Sequence, residues 1–473
     1  MRIPYRALRA LAAHADVDWV SPDRELRALD DDAGEVDSVS DVDVNALGAG
    51  TVWRAYGIRG ENVTVAVLDT GAAPMEDLQG EGSGGLKFFK DFVAGRSVAY
   101  DDNGPGTHVA GIVAGNGRLG RGAYYGVAPR ASLLALKVLD AQGVGRASTV
   151  IAALDWCVAN RSRFNIRVIN LSLGHRPAER TATDPLCAAV RRCVRANMVV
   201  LCSAGNRGKD LKGNTVYGGI SAPGNEPAAL TVGALNNRAT ALRSDDGIAT
   251  YTSRGPTYLD FAAKPDVVAP GNRIVSLRAP NSMLAFAVPA NPAAPDYLEL
   301  SGSSMAAAQV SGVAALLLEA NPSLNPNTVK AILMVTAQRL SLSSPSGGEL
   351  SAGLSTLTQG AGSVNALGAV EVATRIDGTR AVGTQWLTAP VLPVSRIQGE
   401  SFSWNGAVLL GGRWYAGSNV IGFRWPAYTQ QFLWGDQYLW GDQYLWGDPF
   451  LWGDQYLLDF GHFGGRRGSN ATG

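Results

Sequence analysis

The chain has 473 residues, with 41 lysines and arginines against 41 aspartates and glutamates, so its formal net charge is zero. A balanced charge gives no pull toward nucleic acid or an anionic membrane. No stretch reaches the roughly 18–20 consecutive apolar residues of a membrane-spanning helix, so the chain reads as soluble with no transmembrane segment. Cys157, Cys187, Cys193 and Cys202 lack CxxC spacing, which argues against a zinc site or a disulfide scaffold. Free buried thiols are expected, with a Cys157–Cys202 bridge as the alternative.

Residues 1 to about 43 are strongly charged, with an acidic run through Asp30, Asp31, Asp32, Glu35, Asp37, Asp41 and Asp43, and read as a mobile or cleavable connection. From Val63 the chain alternates short apolar runs with helical patterns. Strands are expected at 63–68, 133–139, 168–173, 198–203, 229–234 and 273–277. Helices are expected at 108–114, 147–160, 185–196, 304–320 and 327–336. Nearly continuous apolar strands separated by helices specify an α/β fold, a parallel sheet covered on both faces. In such sheets ligands and chemistry gather at the carboxyl ends of the strands.

Past about residue 376 the helical periodicity stops. A hexapeptide, Leu433-Trp434-Gly435-Asp436-Gln437-Tyr438, recurs from Leu439, Leu445 and Leu451. Such a period fits short strands or a small solenoid with Trp434, Trp440, Trp446 and Trp452 on one face, and equally an adhesive low-complexity tail.

Chemistry concentrates at four places. In LSGSSMAAAQVSGVAALLLE (300–319), a Gly/Ser turn runs into a buried helix, so Ser303 or Ser304 could be an N-cap or a nucleophile beside unpaired helix N–H groups. Asp69 ends the apolar run Val65–Leu68, where it can cap the turn or orient a histidine. His108 opens a helix of small residues, and of the four histidines (His14, His108, His175, His462) it is the one on a core element at a strand-to-helix loop. That position suits a general base, although a lone histidine also serves structurally. Asn206, after Ser203-Ala204-Gly205, can donate to an oxyanion or make an Asx turn. The run Asn170-Leu171-Ser172-Leu173-Gly174 offers backbone to an extended peptide by strand addition. No HExxH, Walker or Rossmann motif is present, so acid, base and nucleophile must come from side chains.

Taken together, Asp69 in VAVLDTG, His108 in NGPGTHVAG, Asn206 in SAGN and Ser304 in GSSMA resemble the Asp, His, oxyanion-Asn and Ser motifs of the subtilisin-like serine proteases. The flanks GVAPRASLLALKVL, RVINLSLG, SAPGNEPAALTVGAL and KPDVVAPG extend the resemblance from about Val52 to about Ala373. It implies a three-layer subtilisin-like fold at residues 44–375, a propeptide remnant and linker at 1–43, and an aromatic, Gly-rich repeat extension at 376–473. It further implies a serine endopeptidase that forms an acyl-enzyme through Asp69, His108 and Ser304. Asn206 and the Ser304 amide would form the oxyanion hole, with Ser172, Leu173, Gly174, Ala204 and Gly205 lining the substrate cleft.

The implied partners are protein or peptide substrates, and the propeptide as inhibitor, since ADVDWVSPDREL (15–26) resembles the last strand of a propeptide domain. A signal peptide and most of the propeptide would then lie outside this chain. Catalysis would need no cofactor, and structural calcium is implied without assigned ligands. Secretion is the implied location; the core also resembles a signal-less intracellular branch, which gives the cytoplasm as the alternative. The chain departs from the family pattern at three positions. Pro105 stands where GHGTH has a histidine read as non-catalytic, Ser303 replaces threonine, and Ala308 replaces proline. On this reading none of them removes a proton-transfer group. His175, where glycine is common, would reshape one wall of the cleft. The rival readings are a catalytically silent peptide-binding pseudoprotease, a surface-attached protein whose repeats are the main module, and a relative with a different acyl acceptor.

Overall fold

In a computed structural model of the chain, the described residues are 7–17, 19–29, 33–34, 42–80, 84–343, 348–410, 413–417 and 419–429. The hexapeptide repeats, His462 and most of the acidic run lie outside them. The strands in chain order begin with β1 (Glu25–Ala28), β2 (Ala33–Gly34), β3 (Thr64–Asp69), β4 (Gly85–Asp91), β5 (Ser132–Lys137), β6 (Val144–Arg146) and β7 (Ile166–Leu171). They continue with β8 (Leu173–Gly174), β9 (Val199–Ser203), β10 (Leu230–Asn236), β11 (Gly247–Ile248), β12 (Val267–Pro270), β13 (Ile274–Leu277) and β14 (Tyr297–Leu300). The helices are α1 (Leu8–Ala12), α2 (Val42–Leu47), α3 (Ala49–Tyr56), α4 (Pro105–Ala114), α5 (Ala147–Phe164), α6 (Pro185–Arg195), α7 (Met283–Ala287), α8 (Ser303–Ala320), α9 (Pro326–Thr336), α10 (Ala352–Gln359) and α11 (Ala366–Ala373).

The central sheet has the order β11-β10-β9-β7-β3-β5-β4, with β12 also pairing to β10. Its pairs are parallel except for antiparallel β11. Alternation along β3 sends Val65 and Val67 into the core shared with α4 and α8, and Ala66 and Leu68 into the core shared with α5 and α6. Both faces are therefore covered, as the unbroken apolar strands require. Helix α8 is long and apolar enough to cross a membrane by length and composition, but 89% of it is buried inside the protein. It is the core helix of one layer.

The expected strands and helices coincide with observed elements to within four residues, with one difference of topology. The run 273–277 does not join the parallel sheet. Its Ile274–Leu277 pairs antiparallel with β14, which also pairs β2, while Val267–Pro270 joins the parallel sheet through β10. Strand β4, GLKFFKD, was not expected; it is an edge strand, so its middle residues stay half-exposed and its pattern is mixed. The four cysteines are free and buried. Beyond residue 376 lie hairpins at Val394–Ile397/Glu400–Ser403 and Ala407–Leu410/Arg413–Ala416; Trp404, between them, and Val408 and Leu409 of the second join the α8-side core.

The placement of α8 depends on a close approach at Gly312, where an added Cβ would lie 2.5 Å from the Val127 Cβ. An alanine in a helix interior ordinarily gains up to about 1 kcal/mol over glycine, but a β-branched neighbour cannot swing its Cβ aside. Gly312→Ala is therefore expected to lower stability by about 1–3 kcal/mol, read from urea denaturation. An unchanged or raised midpoint would refute the packing account.

Candidate active site

Helix α8 begins at the carboxyl edge of the sheet, and its first residues build the site. The N-cap is Gly302, with no side-chain capping bond, so neither serine is a cap. Instead the Ser303 backbone N–H and hydroxyl both donate to Asn206 Oδ1, at 3.0 and 2.9 Å, and Gly205 N–H donates to Ser303 Oγ at 3.0 Å. With its oxygen held this way, Asn206 must present its NH2 group outward, which excludes the Asx-turn alternative. Ser303, read from sequence as a mere replacement for threonine, is the residue that orients this amide.

Asn206 Nδ2 donates to the backbone carbonyl of Leu29 at 2.7 Å, and Ser304 Oγ donates to the same oxygen at 2.9 Å. Two donors thus converge on one carbonyl from the leader. Ser304 Oγ also lies 3.2 Å from Ser172 O, and Ser172 Oγ donates to Ser304 O at 3.1 Å. Asn170 Nδ2 donates to Ser172 Oγ, and Ser311 Oγ donates to Asn170 Oδ1, both at 2.9 Å. This buried chain ties the end of β7 to α8.

The leader reaches the site as a strand. β1 lies between β6 and β8, antiparallel to both, with Arg27 opposite Gly174 and Ala28 opposite Leu173. Ala28 N–H donates to Gly143 O at 3.1 Å and Leu29 N–H to Ser172 O at 3.4 Å. Of the run 170–174, residues 172–174 pair with an extended segment of the same chain, while Asn170 and Leu171 pair within the central sheet. Leu26 is fully buried in the α5/α6-side core, and a Cβ on Gly174 would sit 3.3 Å from Leu29 Cδ1. The DREL segment signalled a strand here, but nothing in the sequence showed that Leu29 would meet Ser304.

The expected base is elsewhere. His108 is fully buried, and its Nε2 faces the carbonyls of Ile274 (3.1 Å) and Leu298 (3.2 Å) on β13 and β14. Its Nδ1 has no hydrogen-bond partner among the described residues. The structure does not bring His108 to Ser304. Asp69 is buried at the end of β3, with Oδ1 accepting from Thr70 N–H at 2.7 Å. The part of α4 that abuts this turn is its first residues. Gly106 N–H donates to Thr70 Oγ1 at 2.9 Å, and a Cβ on Gly106 would lie 2.2 Å from Gly71 O. Next to Gly106 stands Pro105, buried at the first helical position. The departure at Pro105 thus falls next to the residue that abuts the turn after Asp69, and proline brings no titratable atom to that position. His175 Nδ1 is bonded to Arg176 O (2.8 Å), and His14 is exposed beside Asp16. None of the three described histidines hydrogen-bonds Ser304.

Among the described residues no group of three or more His, Cys, Asp or Glu could hold a metal ion, so no calcium ligands are assigned. Asp91, a carboxylate in a loop, is already satisfied by the Val93, Ala94 and Arg96 amides and the Tyr100 hydroxyl.

A parallel sheet with chemistry at its carboxyl edge, a serine opening a buried helix and an asparagine aimed at a peptide carbonyl define a peptide-bond cleft. Residues 60–369 match the model of the subtilase family. Serine protease AprX of Bacillus subtilis (strain 168) is 38% identical over 315 residues, 66% of this chain and 67% of the relative. Subtilisin DY of Bacillus licheniformis is 35% identical, covering 61% of this chain and 88% of the relative, and Subtilisin Savinase of Lederbergia lenta is 34% identical, covering 60% and 86%. The chain belongs to the subtilase family of serine-type endopeptidases.

Burial pushes the His108 imidazole down to about 4, against the opposing effect of its bonds to Leu298 and Ile274. An unfolded histidine titrates near 6.5. Between these values the unfolded chain binds one more proton than the folded one, so stability rises with pH. The contribution is complete above pH ~6.5 and is lost as pH falls toward 4, about 3 kcal/mol in all. Urea unfolding from pH 4 to 7 is expected to show this slope in the wild type and a shallower one in His108→Gln. Equal slopes would mean that His108 is hydrated and free to protonate.

Proposed function

We propose that this subtilase grips an extended peptide in its cleft and turns it over slowly, because Ser304 works without an imidazole. The observation that carries the reading is the Leu29 carbonyl between Ser304 Oγ and Asn206 Nδ2, while His108 Nε2 faces Ile274 and Leu298. Ser304 is the nucleophile, Asn206 the oxyanion donor, and Ser172, Leu173, Gly174, Ala204 and Gly205 the walls that align the peptide. Asp69 would have no histidine to orient. A carbonyl oxygen accepts a hydrogen bond from Ser304 but not its proton at neutral pH, so attack must wait for proton loss to solvent. The oxyanion donor and alignment remain, and these alone leave about 10³–10⁴-fold acceleration over water.

Residues 44–375 would form the catalytic body, 1–43 the segment that fills the cleft and 376–473 an extension. The family resemblance supports an extracellular site of action. A second reading, favoured by relatives named as proteases, is an ordinary endopeptidase with Asp69, His108 and Ser304 as a triad. It requires His108 to leave both carbonyls.

Turnover of a Leu-containing reporter peptide separates the two. In subtilisin itself, loss of the nucleophile or the base costs about a million-fold in kcat; carried over, the expected rate is about that far below AprX under the same conditions. A rate in the usual range of about 1–10³ s⁻¹, abolished by both Ser304→Ala and His108→Ala, would instead establish the triad.

A further inference from the structure

We propose that Pro105 preserves the peptide bond after Leu29 and so makes residues 25–29 a permanent, covalently tethered occupant of the cleft. The inference rests on the reading that Ser304 lacks a base. Four sets of contacts hold the segment. β1 is the central strand between β6 and β8. Leu26 is buried without residual exposure. Glu179 receives the Trp19 indole N–H (3.0 Å), the Ser21 hydroxyl and the Arg24 guanidinium (2.9 Å). Asp23 accepts from the Ser148 amide and hydroxyl, each at 2.9 Å. Past Leu29 the chain is paired again, with Ala33 opposite Leu300 and Gly34 opposite Glu299 on β14. The polypeptide is therefore held on both sides of the carbonyl that faces Ser304. Tethering makes its rebinding intramolecular, so a free peptide competes against an effective concentration in the millimolar range.

What this arrangement lacks is a proton acceptor, and the register shows where one belongs. Leu68 lies opposite Leu171 in the β3/β7 pair, so Asp69 is level with Ser172, whose carbonyl Ser304 Oγ touches. Pro105 and Gly106 sit against the turn that follows Asp69. An imidazole at position 105 would stand between the carboxylate and the serine. It would take the Oγ proton as Oγ bonds to the Leu29 carbonyl carbon, then return it to the Asp30 nitrogen as the C–N bond breaks. Water would next give a proton to the imidazole and its hydroxide to the acyl carbon. The imidazolium hands that proton to Ser304 Oγ as the acyl C–O bond breaks, which restores the serine and leaves Leu29 as a carboxylic acid that ionises to solvent.

The test is intact-mass spectrometry of the full chain over time for the wild type, P105H and P105H/S304A, with casein hydrolysis measured in parallel. The wild type and the double variant are expected to stay whole, and P105H to split into 1–29 and 30–473. A wild type cut after Leu29 in a Ser304-dependent way would overturn both this inference and the baseless reading beneath it. If P105H digests casein but stays joined at Leu29, the tether inference alone falls. A P105H with wild-type melting that cuts neither would refute the role given to position 105. Hydrogen exchange in the wild type is an independent check should P105H not fold. The Ala28 and Leu29 amides are expected to exchange as slowly as those of β7, and exchange at the unfolded rate would refute permanent occupancy.

Discussion

Everything at this site depends on one carbonyl oxygen, that of Leu29, held by Ser304 Oγ and Asn206 Nδ2. Neither donor is free to choose its direction. Asn206 is turned outward because Ser303 occupies its oxygen with two donors, and Ser303 is itself fixed by the Gly205 amide. Ser304 is fixed through Ser172, Asn170 and Ser311, a hydrogen-bonded chain running from β7 back to the next turn but one of α8. Buried polar chains of this kind are costly unless every member is satisfied, and once satisfied they hold geometry tightly. Here the held geometry aims the Asn206 amide and the Ser304 hydroxyl at one carbonyl oxygen without either side chain having to reorient.

The same network explains why the sheet and α8 were legible in the sequence while the base was not. Runs such as TVAVLD and VVLCS can only be strands buried on both faces, and the small residues of α8 can only be a core helix, so their boundaries were readable nearly to the residue. Asn206 and Ser304 were readable because they sit where those elements end. His108 was singled out as the histidine on a core element at a strand-to-helix loop, and the sequence carried no sign of which carbonyls its ring would face. The helix begins at Pro105, which puts His108 one turn into α4 with its ring against the carbonyls of β13 and β14. The cleft occupant was unreadable for a different reason. Leu29 reaches Ser304 through backbone pairing across more than 270 positions of sequence, and backbone pairing leaves little mark on residue identity.

Proline at position 105 is also a favourable residue for the helix it starts. Its fixed φ suits the first helical position, and the N–H it lacks would have had no intrahelical partner. A histidine at this buried position would have its charged form opposed by burial. The same effect acts at His108, where burial pushes the imidazole down to about 4. Active-site groups are commonly retained at the expense of stability, so replacing one tends to stabilise the fold while function is lost. At position 105 the replacement fits the backbone, removes a buried titratable group and leaves the Ser304–Asn206 grip untouched, since neither of those residues bonds to α4 through its side chain. The grip on the Leu29 carbonyl and the start of α4 are thus separate pieces of the fold: the strand pairing comes from β6 and β8, and the two carbonyl donors from the loop after β9 and the first turn of α8.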